Sequence, residues 1–472
     1  MAYMKKRTRI FLSTLILATL AGVALAAYFS RRSEITTRSE KAREAFLRGE
    51  ENLRRFYWND AKLDFAEALE NDPNFALALI GLAQLAGRQG ELERAKNLID
   101  RAHQLEDQVT QTEKYKIEMA FAGMNGNEDE TERLGNEYLK NFPNDKWIVA
   151  HQASSIWRKG KTDEAVRLYQ HLLEIAPNSA DAYNQLGYIA AKSGEFARAE
   201  EYFKKYAFIA SRQANPYDSL GELFLHTGRY DEAETSSRKA LEIRPDFDTS
   251  TVNLALVRRK QGRTDEAFAI LNESIPRFGD VSLARRARIL LGVLNLEQGR
   301  WDEAERAFAT LEKTSSEKKF AAIFEILQKT LKARVSLGKG NPGLAESETR
   351  DARIRFEELK TSGQKSDKIG KDEIDGIDGA IRGVEAEIAA ARGDHSTAVS
   401  EFRKIEKAFK GLPFGEDGLS FIFLFRTRIS VAESLVKLGR FGEARDELAK
   451  NLAIDPRDPF TLEARLRLGL EP

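Results

Sequence analysis

Tyr183-Asn-Gln-Leu-Gly-Tyr-Ile-Ala-Ala-Lys-Ser-Gly-Glu-Phe-Ala-Arg-Ala-Glu-Glu-Tyr-Phe203 reads as a helix, a tight turn at Gly194 and a second helix. The turn glycine recurs at Gly126, Gly160, Gly194, Gly228 and Gly262, each step being 34 residues. Seven positions before the last four stand Ala153, Gly187, Gly221 and Ala255, and five after stand Ala165, Ala199, Ala233 and Ala267. Small residues at two fixed points let paired helices approach where they cross. Seventeen positions after the glycine come Pro177, Ser211, Pro245 and Gly279, which end the second helix. Asp163-Glu164, Asp231-Glu232 and Asp265-Glu266 follow the turn, where a helix N-terminus favours acids. A period of this length belongs to stacked helix pairs, whose usual task is binding.

In this phase the chain resembles the tetratricopeptide repeat (TPR) family, whose pattern runs aromatic, Leu-Gly, small, Gly, Ala, aromatic, Ala, Pro. Tyr183 to Gly187 with Ala199 and Phe203, and Tyr217 to Gly221 with Ala233, Ala240 and Pro245, follow it closely. Upstream, Gly49, Ala61, Phe65, Ala68 and Pro73 make a first repeat and Gly90, Ala95 and Ala102 a second. The repeat at Gly126 is degenerate, with Thr131 and Gly135 in place of Ala and an aromatic. Gly299, Gly393 and Gly439 continue the pattern at broken spacing, giving about ten or eleven repeats at the family period. The resemblance implies an all-α fold, an α-solenoid winding as a right-handed superhelix of tandem TPR helix pairs.

The 472 residues carry 74 Lys plus Arg against 74 Asp plus Glu, so net charge is zero and no basic footprint for nucleic acid exists. The absence of cysteine removes disulfides, thiol catalysis and thiolate metal sites.

Near the N-terminus, Lys5-Lys6-Arg7-Thr8-Arg9 precedes an uncharged run from Ile10 to Phe29, closed by Arg31-Arg32. Those 20 residues are about the length that spans a bilayer. Residues 1–32 are expected to be a transmembrane or signal-anchor helix preceding the solenoid. Ala24-Leu25-Ala26 also fits a cleavage point, which would release a secreted chain. The short basic tail favours a single-pass membrane protein with its repeats extracytoplasmic, which in a bacterium means the periplasm. After the anchor, the sequence predicts a main array over residues 33–314, a long helix pair over 315–360, a polar linker over 361–378 and a C-terminal repeat block with a capping helix over 379–472.

Chemistry-bearing motifs are few. Gly338-Lys-Gly-Asn-Pro-Gly343 matches G-x-G-x-x-G but falls between helices with no strand before it, so it reads as a helix-turn-helix loop. The five histidines show no ligand pairing, and no phosphate loop or nucleophile elbow occurs. The chain reads as a non-enzyme with no catalytic residues, no cofactor and no metal, and with no small-molecule substrate expected.

Among TPR proteins the first helix of each pair lines a concave groove, and the resemblance places the rows nine, six and two positions before the turn glycine there. Here these rows are His151, Gln185, Ser219 and Asn253; Tyr188 and Glu222; and Arg158, Lys192, His226 and Lys260. Polar and amide side chains in file suit the alternating groups of an extended peptide, and also suit a solvated face. The cationic row suits an acidic peptide, while cations in a last helical turn are also favoured by its dipole. The expectation is a membrane-tethered scaffold or adaptor gripping a partner protein or peptide in the groove. The alternative is a regulatory or assembly subunit of an envelope-biogenesis or proteolytic complex, secreted or facing the cytoplasm.

Overall fold

The computed structural model describes residues 35–278, 281–309, 318–362, 371–408, 414 and 419–470. The expected anchor at 10–29 and the cleavage point near Ala26 lie outside these residues. So do the breaker Gly279 and the array boundary at Thr314. Among the described residues there are 23 α-helices, no strand, and no helix long and apolar enough to cross a membrane.

The chain divides into two compact units, Met1–Gly87 with Glu91–Phe142, and Arg88–Gly90 with Pro143–Pro472. Three hairpins make the first: α1 (Glu40–Arg54) with α2 (Trp58–Asn71), α3 (Ala76–Arg88) with α4 (Leu92–His103), and α5 (Gln111–Met124) with α6 (Glu128–Asn141). Gly49 takes the helix-crossing position here, not the turn. It lies inside α1, where a Cβ would come within 2.7 Å of the Phe65 ring, and the turn seven residues later falls on Phe56 at φ 63°. Buried Phe46, Phe65, Phe75 and Leu79 form this unit's apolar core. Glu113 closes a capping box with Thr110 at the start of α5 and also accepts from the Thr36 backbone N–H at 2.8 Å.

The second unit opens with regular hairpins: α7 (Lys146–Arg158) with α8 (Thr162–Ile175), α9 (Ala180–Lys192) with α10 (Phe196–Ile209), α11 (Asn215–His226) with α12 (Tyr230–Ile243), and α13 (Asp248–Lys260) with α14 (Thr264–Ser274). Longer and less regular pairs follow: α15 (Val281–Glu297) with α16 (Trp301–Ala309), α17 (Lys318–Gly338) with α18 (Pro342–Ser362), α19 (Lys371–Ala391) with α20 (His395–Ala408), and α21 (Leu419–Lys437) with α22 (Phe441–Leu452). A last helix, α23 (Pro459–Arg467), ends the fold. Helices α18 and α19 therefore cover all of the sequence-predicted linker except 363–370, and residues on both sides of it belong to one compact unit.

The repeat spacing has a direct steric cause. At Gly187 a Cβ would stand 2.4 Å from the Phe203 ring, and at Gly292 2.1 Å from Phe308, so the small residue of the first helix is the seat of the aromatic on the second. Phe203 and Phe308 are buried. The turn glycines from Gly90 to Gly439 adopt positive φ, which reverses the chain in few residues, and Gly340 does so within the glycine-rich loop between α17 and α18.

One apolar core runs through α9 to α15 and takes in Phe414, Ile422, Leu424, Phe425 and Ile454 from the C-terminal block. Repeats separated by about 200 residues of sequence thus share a core, whereas a plain solenoid contacts only neighbours.

Candidate functional site

The predicted groove rows lie on the first helices α7, α9, α11 and α13 of four successive hairpins, all in the second unit. The structure treats the two halves of these rows differently.

On α7 and α9 the candidates keep access to solvent. Arg158 is exposed, and His151, Gln185 and Lys192 are half-buried. The His151 ring stacks on Trp147 at 5.0 Å, and burial, with the Arg158 charge adding to it, pushes its pKa down to about 4. Near neutrality it is an uncharged hydrogen-bonding ring. The Lys192 ammonium lies 5.7 Å from the centroid of the Trp157 ring, so α7 and α9 present a cation beside an aromatic face.

On α9, α11 and α13 a buried polar seam joins the helices. The Tyr188 hydroxyl donates to Glu222 at 3.1 Å and lies 3.2 Å from the Ser219 hydroxyl, which donates to Asn184. Ser250 and Asn253 both donate to one oxygen of Asp218, at 2.5 and 3.1 Å. Burial pushes the Asp218 carboxyl up to about 6 against these hydrogen bonds, and burial with the Glu222 and Asp218 charges drives the Tyr188 phenol well above its ordinary value. Ser219 and Glu222 are therefore spent within the seam, and Asn253 is committed to Asp218. The sequence rows found four of these groups and missed Ser250, Asn184 and Asp218, the last two of which sit one position before Gln185 and Ser219 and turn toward the neighbouring helix.

The remaining pair, His226 and Lys260, is covered by the chain itself. The Lys260 ammonium is 2.8 Å from Asp455 and also pairs with Asp458, carboxylates that are 0% and 1% exposed. Asp455 in addition accepts from the Tyr230 hydroxyl at 2.8 Å. It packs so closely on the turn at Gly228 that a Cβ there would stand 2.4 Å from its carboxylate. Asp458 meanwhile caps α23 by accepting from the Thr461 N–H at 2.8 Å. The His226 ring meets Phe414 edge-on at 5.6 Å, and burial together with Lys260 holds its pKa well below the ordinary value. Arg259 lies over Phe460 at 3.9 Å and forks onto Glu297 at 2.6 and 2.9 Å. Nothing in the local sequence marks Phe414, Asp455 or Asp458 as partners, because the separation from Lys260 is 195 and 198 residues.

Among the described residues no cluster of three or more His, Cys, Asp or Glu could hold a metal ion. Sequence models described as tetratricopeptide repeat match residues 76–101, 152–218, 214–247 and 246–311. No curated protein matches the chain. Among solved structures, MamA (residues 41 to the end) from Desulfovibrio magneticus RS-1 is 17% identical, covering 34% of this chain and 90% of its own at a TM-score of 0.30. The APC/C hetero-tetramer Cut9-Hcn1 is 13% identical, covering 90% and 83% at 0.40. The pilF protein of Pseudomonas aeruginosa is 18% identical, covering 46% and 97% at 0.35. With eleven helical hairpins among the described residues and these four matched segments, the chain has an all-helical TPR-like fold and carries tetratricopeptide repeats.

Proposed function

We propose that this protein is a non-catalytic scaffold that holds an extended segment of a partner protein along α7 and α9. The observation that carries this reading is the contrast between the two halves of the groove rows. His151, Arg158, Gln185 and Lys192 keep solvent access on adjacent first helices, while the equivalent residues of α11 and α13 are consumed by the seam and the C-terminal block. A neutral imidazole, an amide and two cations, of which Lys192 lies over Trp157, match the carbonyls, amides and acidic side chains of an extended peptide.

The uncharged run from Ile10 to Phe29, flanked by basic residues, supports tethering of this scaffold to a membrane with its repeats on the extracytoplasmic side. The test is photo-crosslinking in intact cells with a reactive residue at Gln185, and at Glu305 on α16 as a control. A discrete adduct from Gln185 alone is expected. Adducts from neither position, with the protein folded and abundant, overturn the site. Extraction of the protein by alkaline carbonate overturns the tether.

A further inference from the structure

The second unit contains a half-open cavity of ≈ 590 Å³ lined by residues of the later repeats α15 to α23, away from the α7 and α9 surface. Its size is within the range that encloses most of a ligand. The lining has two characters. Trp301, Leu337, Phe402 and Leu468 give apolar walls. The Trp301 ring is fixed against α17, since a Cβ at Gly338 would lie 2.3 Å from it.

The polar lining is unbalanced. Four cations, Arg334, Arg426, Arg467 and Lys437, face two carboxylates, Glu387 and Glu433, an excess of two positive charges in a chain whose net charge is zero. Glu387 is shared, with Arg334 at 3.1 Å and Arg426 at 3.7 Å, so one carboxylate serves two guanidiniums. Glu433 pairs with Arg467. Lys437 is exposed at the end of α21 and pairs with none of the described residues. A second cavity of ≈ 460 Å³ shares Leu296, Arg426 and Arg467 with the first, so the two adjoin and the guanidiniums stand between them.

The cationic excess of the first cavity, with its aromatic and aliphatic walls, selects an occupant that is both anionic and apolar, whereas Glu297, Asp458 and Glu463 in the lining of the second keep that excess confined to the first. We infer that this cavity binds an acidic peptide segment, carboxylate side chains meeting Arg426 and Lys437 and an apolar side chain filling the space beside Trp301. The site is separate from the α7 and α9 surface and stands or falls without it.

The test uses the full-length chain and a fluorescein-labelled Glu-Leu-Glu-Phe-Glu peptide, with Lys-Leu-Lys-Phe-Lys as its charge-reversed counterpart, read by fluorescence anisotropy. The acidic peptide is expected to bind and the basic one not. Lys437→Glu is expected to weaken binding at least about tenfold, because it reverses an exposed charge at the rim. Its unfolding midpoint should stay unchanged. Arg426→Gln, which leaves Arg334 on Glu387, should weaken binding comparably. Lys192→Glu, on the other surface, should leave it unaltered. Equal binding of the two peptides, or unchanged affinity in both Lys437→Glu and Arg426→Gln, overturns the proposal. So does full displacement of the peptide by millimolar inorganic phosphate, which would reduce the site to a general anion pocket.

Discussion

Lys260→Met tests whether the C-terminal block is locked onto the array by one cation. Methionine keeps the aliphatic stem, whose ammonium end now lies 4.9 Å from the Phe425 ring centroid, and deletes only the charge and its hydrogen bonds. The Lys260 side chain is 11% exposed and its two carboxylates essentially not at all, so removing it strands Asp455 and Asp458 in a water-poor site. Breaking a buried pair from one side costs about 3 to 5 kcal/mol. At about 1.4 kcal/mol per factor of ten, the opening constant of the block should rise between about a hundredfold and a few thousandfold.

Native-state hydrogen exchange reads this directly. The amides of Ile454 and Leu462, bonded to the carbonyls of Asn451 and Asp458 at 3.0 Å, should lose protection by that factor. The amide of Phe142, bonded to Tyr138 in the first unit, should not change. Adding Asp455→Asn and Asp458→Asn should restore much of the loss, since the amides still accept from Tyr230 and still cap α23 while burying no charge. Unchanged protection at Leu462 in Lys260→Met would refute the reasoning, placing closure on the apolar contacts of Phe414 and Phe425 alone.

The remaining predictions concern the repeats. Gly187→Ala gains about 1 kcal/mol of helix propensity but drives a methyl to 2.4 Å from buried Phe203, so a net loss of up to about 2 kcal/mol is expected in denaturant unfolding. Adding Phe203→Leu should relieve part of the clash. Ala199→Leu, at a position 0% exposed where the paired helices meet, should cost about 1 to 3 kcal/mol, and an unchanged midpoint would contradict the repeat phase. The Asp218 carboxyl sits at about 6 when folded and near about 3.9 when unfolded, so its burial carries no charge penalty at low pH and a full one above about 6. Relative to wild type, Asp218→Asn should gain about 2 kcal/mol between pH 4 and pH 7. The comparison cancels the opposite trend of His151, which is held neutral and loses stability as pH falls from about 6.5 to about 4. A flat difference would show that Asp218 is solvated.

What the sequence revealed depends on distance along the chain. Turn glycines, helix-crossing small residues and their aromatic partners recur at fixed offsets within one repeat, so Gly187 and Phe203 could be matched by counting. Phe56 escaped because a turn with φ 63° carries no glycine to mark it, leaving Gly49 as the visible glycine of that repeat. In the candidate groove, counting found Tyr188, Ser219 and Glu222 but could not tell a side chain facing solvent from one facing the next helix. Asn184, beside Gln185, and Asp218, beside Ser219, decide that. The division of the chain after Phe142 has no compositional signal, and of the stretch 361–378 that reads as a linker the described residues, 361–362 and 371–378, are helical.

The ion pairs of Lys260 also impose an order in time. During synthesis at about 5 to 20 residues per second, Asp455 leaves the ribosome roughly 10 to 40 seconds after Lys260, which it follows by 195 residues. Through that interval α11 and α13 can stack, yet His226 lacks Phe414 and Lys260 lacks both carboxylates. The joint is thus made only after Asp455 and Asp458 have emerged. A ribosome that stalls before Asp455 leaves an array whose apolar seat for Phe414 is open, a surface of the kind that chaperones and proteases read. Emergence of Asp455 is thereby recorded in the fold as a single covered face.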